Sequence, residues 1–126
     1  MKKLSAVLAS LALAVSAFAG EFADISVKEV DALTKSKKAV IIDVNGSESY
    51  KKGHVPGALD YAAIKDDLAA KLPSDKNAVI VAYCGGPKCQ AYQTAAKAAS
   101  KLGYKNVKHM SAGISGWKEA SMKLEK

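Results

Sequence analysis

Ala78-Val79-Ile80-Val81-Ala82-Tyr83 runs without a break into Cys84-Gly85-Gly86-Pro87-Lys88-Cys89 and then into an Ala-rich stretch from Gln90 to Leu102. The first segment is apolar and rich in β-branched residues, the pattern of a strand buried on both faces of a parallel sheet. Gly and Pro then end the strand. The stretch behind them has strong helix propensity, and Gly103 stands where a helix C-cap belongs. Ala39-Val40-Ile41-Ile42-Asp43-Val44 repeats the buried-strand pattern upstream, closed by Asn45-Gly46. Strands alternating with helices predict an α/β fold with a parallel sheet and right-handed crossovers.

Outward from this centre, Ser26-Val27-Lys28-Glu29 has the form of a capping box and opens a helix over Val27 to Lys35. Pro56-Gly57 marks a turn, a short strand is expected over Ala58 to Tyr61, and a helix from Ile64 to Leu72 ends at Pro73. A weaker strand follows over Asn106 to His109, and a last helix over Trp117 to Met122. Lys2 and Lys3 precede an apolar run that ends in Ala17-Phe18-Ala19, so residues 1–19 read as a cleavable export signal and residues 20–126 as one domain. The run is too short and too rich in Ala and Ser for a membrane span of ~20 apolar residues. The expected location is therefore periplasmic or secreted, with no stable membrane association after cleavage.

The whole chain has 126 residues, 49% of them apolar and 25% charged, the balance of an ordinary folded globule. Its formal charge is +7, carried by 19 basic residues that are all Lys. The absence of Arg counts against bidentate recognition of phosphate or carboxylate. The lysines are scattered rather than interleaved with aromatics, which argues against a nucleic-acid partner.

In an open α/β sheet, ligands bind beyond the carboxyl ends of the strands, and Cys84 stands at such an end. Gly85 and Gly86 allow a tight curl whose N–H groups, with the start of the next helix, form a concavity suited to an anion. That setting, with Lys88 nearby, favours the thiolate of Cys84, the nucleophilic form. Cys84 and Cys89 are only five positions apart, so a bridge between them would add little as a staple, and a chemical role is the better reading. The spacing is not that of a C-x-x-C redox site, and no further Cys or paired His completes a zinc site. No metal or organic cofactor is implied.

Asp43-Val44, Gly53-His54-Val55-Pro56-Gly57-Ala58, the Cys84 loop and Gly113-Ile114-Ser115-Gly116-Trp117 stand in the order and approximate spacing of a single-domain rhodanese, a sulfurtransferase, and the chain resembles that family over nearly all of residues 25–120. The resemblance implies a three-layer α/β fold with a central, mainly parallel five-stranded sheet flanked by helices. It implies that Cys84 takes sulfane sulfur from a small sulfur-containing anion such as thiosulfate and passes it, as a persulfide, to cyanide or a thiol. Gly85, Gly86, Pro87, Lys88, Cys89 and Gln90 then match the loop that binds the substrate, their N–H groups facing the persulfide anion. Asp43 and His54 take supporting structural places, Asp43 accepting backbone N–H bonds near the rim and His54 ordering its turn. Trp117 is expected in the core, and His109 carries no catalytic assignment.

The chain departs from the family pattern at Asn45 and Ser49, where Arg and an acidic residue are common, and in carrying a second Cys in the loop. Cys89 in that place is able to attack a persulfide on Cys84, expelling sulfide and leaving a disulfide. A Cys-dependent phosphatase would need Arg where Gln90 stands. The alternative to sulfur transfer is a non-catalytic or redox-sensing binding module in which Cys84 and Cys89 cycle between dithiol and disulfide.

Overall fold

The computed structural model describes residues 22–126; the export signal expected over residues 1–19 lies outside them. In chain order the elements are β1 (Ala23–Asp24), α1 (Val27–Ser36), β2 (Ala39–Asp43), α2 (Ser47–Lys52), β3 (Leu59–Asp60), α3 (Tyr61–Ile64), α4 (Leu68–Lys71), β4 (Val79–Tyr83), α5 (Tyr92–Lys101), β5 (Asn106–His109) and α6 (Gly113–Glu119). The five strands form one sheet in the order β1-β5-β4-β2-β3, every pairing parallel. β4 lies at its centre. Asp43 is in register with Tyr83, and Ala82 with His109, so three strands reach their carboxyl ends side by side.

Side chains alternate across a strand, and this parity divides the core into two halves. Ile42, Ile80, Ala82, Cys84 and Val107 face one layer, covered by Leu68, Leu72 and the small residues Ala95, Ala96 and Ala99 of α5. Ile41, Val81 and Tyr83 face the other, covered by Val30 of α1, Val55, Met110 and the wholly buried Trp117 of α6. Trp117 is thus the core anchor expected for it, with its indole N–H donating to the Lys123 carbonyl at 2.7 Å.

The capping box at α1 forms in full: Ser26 Oγ accepts the Glu29 N–H and Glu29 Oε1 accepts the Ser26 N–H, both at 3.1 Å. Two expectations change. The single helix over Ile64 to Leu72 is broken into α3, a 3₁₀ turn over Lys65–Asp67, and α4. Lys65-Asp66-Asp67 offers the core nothing apolar, and none of these three residues is buried. The last helix begins at Gly113 rather than Trp117 and ends at Glu119, because Ile114 and Ser115 bond to the loop after β4. Two elements, β1 and α2, carry no sequence pattern strong enough to predict them. No helix among the described residues is long and apolar enough to cross a membrane.

Candidate functional site

β4 delivers Cys84 to the centre of the sheet's carboxyl edge, where it is 1% exposed, beneath the start of α5 and in the same apolar cluster as Tyr92. The ladder holds to the strand's last residues. Met110 N–H donates to the Ala82 carbonyl at 3.1 Å and Val44 N–H to the Tyr83 carbonyl at 2.8 Å. The loop is then pinned by α6: Ile114 N–H donates to the Cys84 carbonyl at 2.9 Å and Ser115 N–H to the Gly85 carbonyl at 3.0 Å.

That docking explains the Gly at position 113. Its φ is +62°, and a Cβ there would lie 2.6 Å from Gly85 C and Gly86 N. Only a residue without a side chain allows so close an approach. A shallow depression of about 460 Å³ opens on the loop, lined by Gly85, Gly86, Pro87, Lys88, Cys89, Ile114 and Ser115. Pro87, Lys88 and Gln90 are exposed, while Cys89 is half-buried.

Cys84 and Cys89 are joined by a disulfide, with their Cα atoms 6.2 Å apart. Cys89 N–H donates to the Gly86 carbonyl at 3.1 Å, so this amide, one of those expected to face the sulfur, is already engaged. The N–H groups of Gly85, Gly86, Lys88 and Gln90 have no acceptor among the described residues and remain open to an anion.

Asp43 braces the site from the neighbouring strand. It is 1% exposed, accepts the Asn45 N–H at 2.9 Å, and accepts the Tyr83 hydroxyl at its other oxygen. Tyr83 Oη in turn accepts the Val55 N–H at 3.1 Å. Burial pushes the Asp43 carboxyl above its ordinary range, against the opposing pull of the Tyr83 and Asn45 bonds. Burial, and then the Asp43 charge, push the Tyr83 hydroxyl far up, so it stays protonated and donates.

His54 is not brought to the loop. Its Nδ1 donates to the Tyr50 carbonyl at 2.7 Å, its ring stacks on Tyr50 at 3.6 Å, and its Nε2 lies 3.4 Å from Glu125 Oε1. With a reciprocal backbone pair between His54 and Glu125 at 2.9 Å, it clasps the end of the chain. The turn it precedes is closed by Ala58 N–H on the Val55 carbonyl at 2.9 Å, with Gly57 at φ +82°. His109 stacks on Tyr92 at 3.4 Å, and burial holds its imidazole below the ordinary value.

Four lining residues escaped the sequence reading. Ile114 and Ser115 reach the loop from α6, and Lys52 and Lys118 line a second depression of about 140 Å³ that shares Ile114. Asn45 and Ser49, the two departures from the family pattern, line that second depression too. The only signal in sequence for Ile114 and Ser115 was their place between Gly113 and Trp117; for the two lysines there was none.

Residues 26–120 match the profile of the rhodanese-like domain. Among curated proteins, the chain is 28% identical over 103 residues to the thiosulfate sulfurtransferase GlpE of Shewanella oneidensis, which covers 79% of this chain and 96% of that one. It is 32% identical over 113 residues to an HTH-type transcriptional regulator of Mycobacterium tuberculosis, covering 82% of this chain and 48% of the regulator. The chain therefore spans about half of that relative and nearly all of the first. Among solved structures, the thiosulfate sulfurtransferase from Pseudomonas aeruginosa superposes with a TM-score of 0.69 at 21% identity, over 82% of this chain and 20% of that one. An all-parallel sheet in the order seen here, a cysteine at the end of its central strand and a matching profile over residues 26–120 make this chain a member of the rhodanese-like domain family.

Proposed function

We propose that the chain is a sulfurtransferase that moves sulfane sulfur from a donor such as thiosulfate to a thiophilic acceptor such as cyanide, through a persulfide on Cys84. The observation that carries this reading is the place of Cys84: buried at the end of β4, under the start of a ten-residue helix, in a loop with four unengaged N–H groups. A thiolate there is stabilised by the helix start and the loop amides, and the same donors suit the persulfide that replaces it. In the reduced form the Cys84 thiolate attacks the outer sulfur of thiosulfate. The sulfur–sulfur bond of the donor breaks, and sulfite leaves with the electron pair. Lys88, exposed on the loop, together with Lys52 and Lys118 of the second depression that shares Ile114, gives the approach a positive field for the donor anion. The near-complete overlap with a protein named a thiosulfate sulfurtransferase supports the same donor.

The disulfide favours a second reading, the dithiol/disulfide module, and sets a condition on the first: sulfur transfer needs the bridge opened. With residues 1–19 as an export signal, the loop would work in an oxidising compartment, where such a bridge forms readily. Thiosulfate-to-cyanide activity of Cys84→Ser and Cys89→Ser under the same reductant separates the two. Cys84→Ser is expected to fall to background while Cys89→Ser stays active, because a hydroxyl neither ionises near neutral pH nor forms a persulfide. Equal loss in both variants would favour the module.

A further inference from the structure

We propose that Cys89 resolves the Cys84 persulfide inside the loop, so that the transferred sulfur leaves as sulfide and the physiological acceptor is a dithiol reductant. This rests on the sulfur-transfer reading of Cys84 above.

Three observations carry it. The structure joins the two sulfurs, so the loop brings Cys89 Sγ onto Cys84 Sγ, the atom that bears the outer sulfur in a persulfide. The loop is also built unevenly. Its first part is fastened to α6 through the Cys84 and Gly85 carbonyls, whereas Pro87, Lys88 and Gln90 are exposed and bonded to neither α6 nor the sheet. Cys89 therefore sits on the arm that α6 does not fasten, held by its own N–H bond to Gly86, and Cys84 on the fastened one. The burial of the two residues differs in the same sense: Cys84 is 1% exposed and Cys89 half-buried, so a large thiol partner meets Cys89 first.

The chemistry balances without any external oxidant. The Cys89 thiolate attacks Cys84 Sγ, the Cys84–outer sulfur bond breaks, and the outer sulfur takes the electron pair and two protons from solvent as hydrogen sulfide. The two thiols are oxidised to the disulfide as the sulfane sulfur is reduced. A dithiol then attacks the accessible Cys89 sulfur and releases Cys84 as a thiolate, the leaving group that the helix start and loop amides stabilise. The dithiol's second thiol closes on the mixed disulfide and frees Cys89. Over one cycle, thiosulfate and a dithiol give sulfite, hydrogen sulfide and a cyclic disulfide.

A single-turnover experiment on the reduced full chain tests this. The protein is reduced, freed of reductant without air, and given thiosulfate, and sulfite, sulfide and remaining protein thiols are measured. Wild type is expected to release about one sulfide per sulfite and to end without free thiols, whereas Cys89→Ser should release sulfite but at least about tenfold less sulfide. Sulfite without sulfide in wild type, with the sulfur retained on the protein, would overturn resolution by Cys89 and leave the sulfur-transfer reading standing. No sulfite from any variant would overturn that reading itself. The wild-type yield and thiol count decide the matter even if the variant folds poorly.

Discussion

The hydroxyl of Tyr83 serves two partners from different parts of the chain, donating to the Asp43 carboxylate and accepting the Val55 N–H. It ties the end of β4, next to Cys84, to β2 and to the turn that begins at Val55. Tyr83→Phe keeps the ring but leaves a buried carboxylate oxygen and a buried N–H without partners, at ~1–3 kcal/mol for each orphaned group, so a loss of about 2–6 kcal/mol is expected in urea unfolding. The loss depends on pH. Because the folded-state Asp43 value is raised above 3.8, its contribution to stability is fully present below that pH and is lost as pH rises through the raised value. Removing the Tyr83 donor raises it further. The variant is therefore expected to be penalised more at pH ~7 than at pH ~4. An equal penalty at both pH values would mean that the hydroxyl does not stabilise the ionised carboxylate.

At the scale of elements, the site depends on how α6 meets the loop after β4. Gly113→Ala would place a methyl group 2.6 Å from backbone atoms of Gly85 and Gly86, at a position whose φ is +62°. Left-handed backbone costs ~1–2 kcal/mol for Ala and the overlap ~1–3 kcal/mol more, so a loss of about 2–5 kcal/mol in stability is expected. Sulfur transfer should fall with it, since relief of the overlap displaces the Cys84 loop. Unchanged activity and unchanged unfolding would show that α6 does not set the loop. The strands β2 and β4 and the helix α5 were legible in sequence because each answers to a local rule: continuous apolar runs for buried strands, Ala propensity for the helix. The start of α6 was not, because its first turn is fixed by bonds to a loop thirty residues earlier. α2 was missed because Ser47-Glu48-Ser49-Tyr50-Lys51-Lys52 buries no residue and begins at Gly46 with no side-chain cap. β1 is two exposed residues held by pairing with β5. The contacts of His54 were not legible, because its partner Glu125 lies at the far end of the chain, beyond the reach of local reading.

Over the whole molecule, a parallel sheet brings the carboxyl ends of β2, β4 and β5 to one edge, and that edge is where the loop, Asp43 and His109 gather. The arrangement follows from strand order, which places the central strand's end farthest from either open margin of the sheet. The same fold leaves the reactive loop half in the core and half in solvent. Cys84 gains its burial from the sheet, and Cys89 its partial exposure from the surface. The central claim is that Cys84 carries the sulfur, and intact-mass measurement of the reduced Cys89→Ser chain after thiosulfate treatment tests it most directly, since no second thiol remains to remove the sulfur. The account predicts a gain of one sulfur atom, located on the peptide that contains Cys84. An unchanged mass, or a sulfur found on any other peptide, would contradict it.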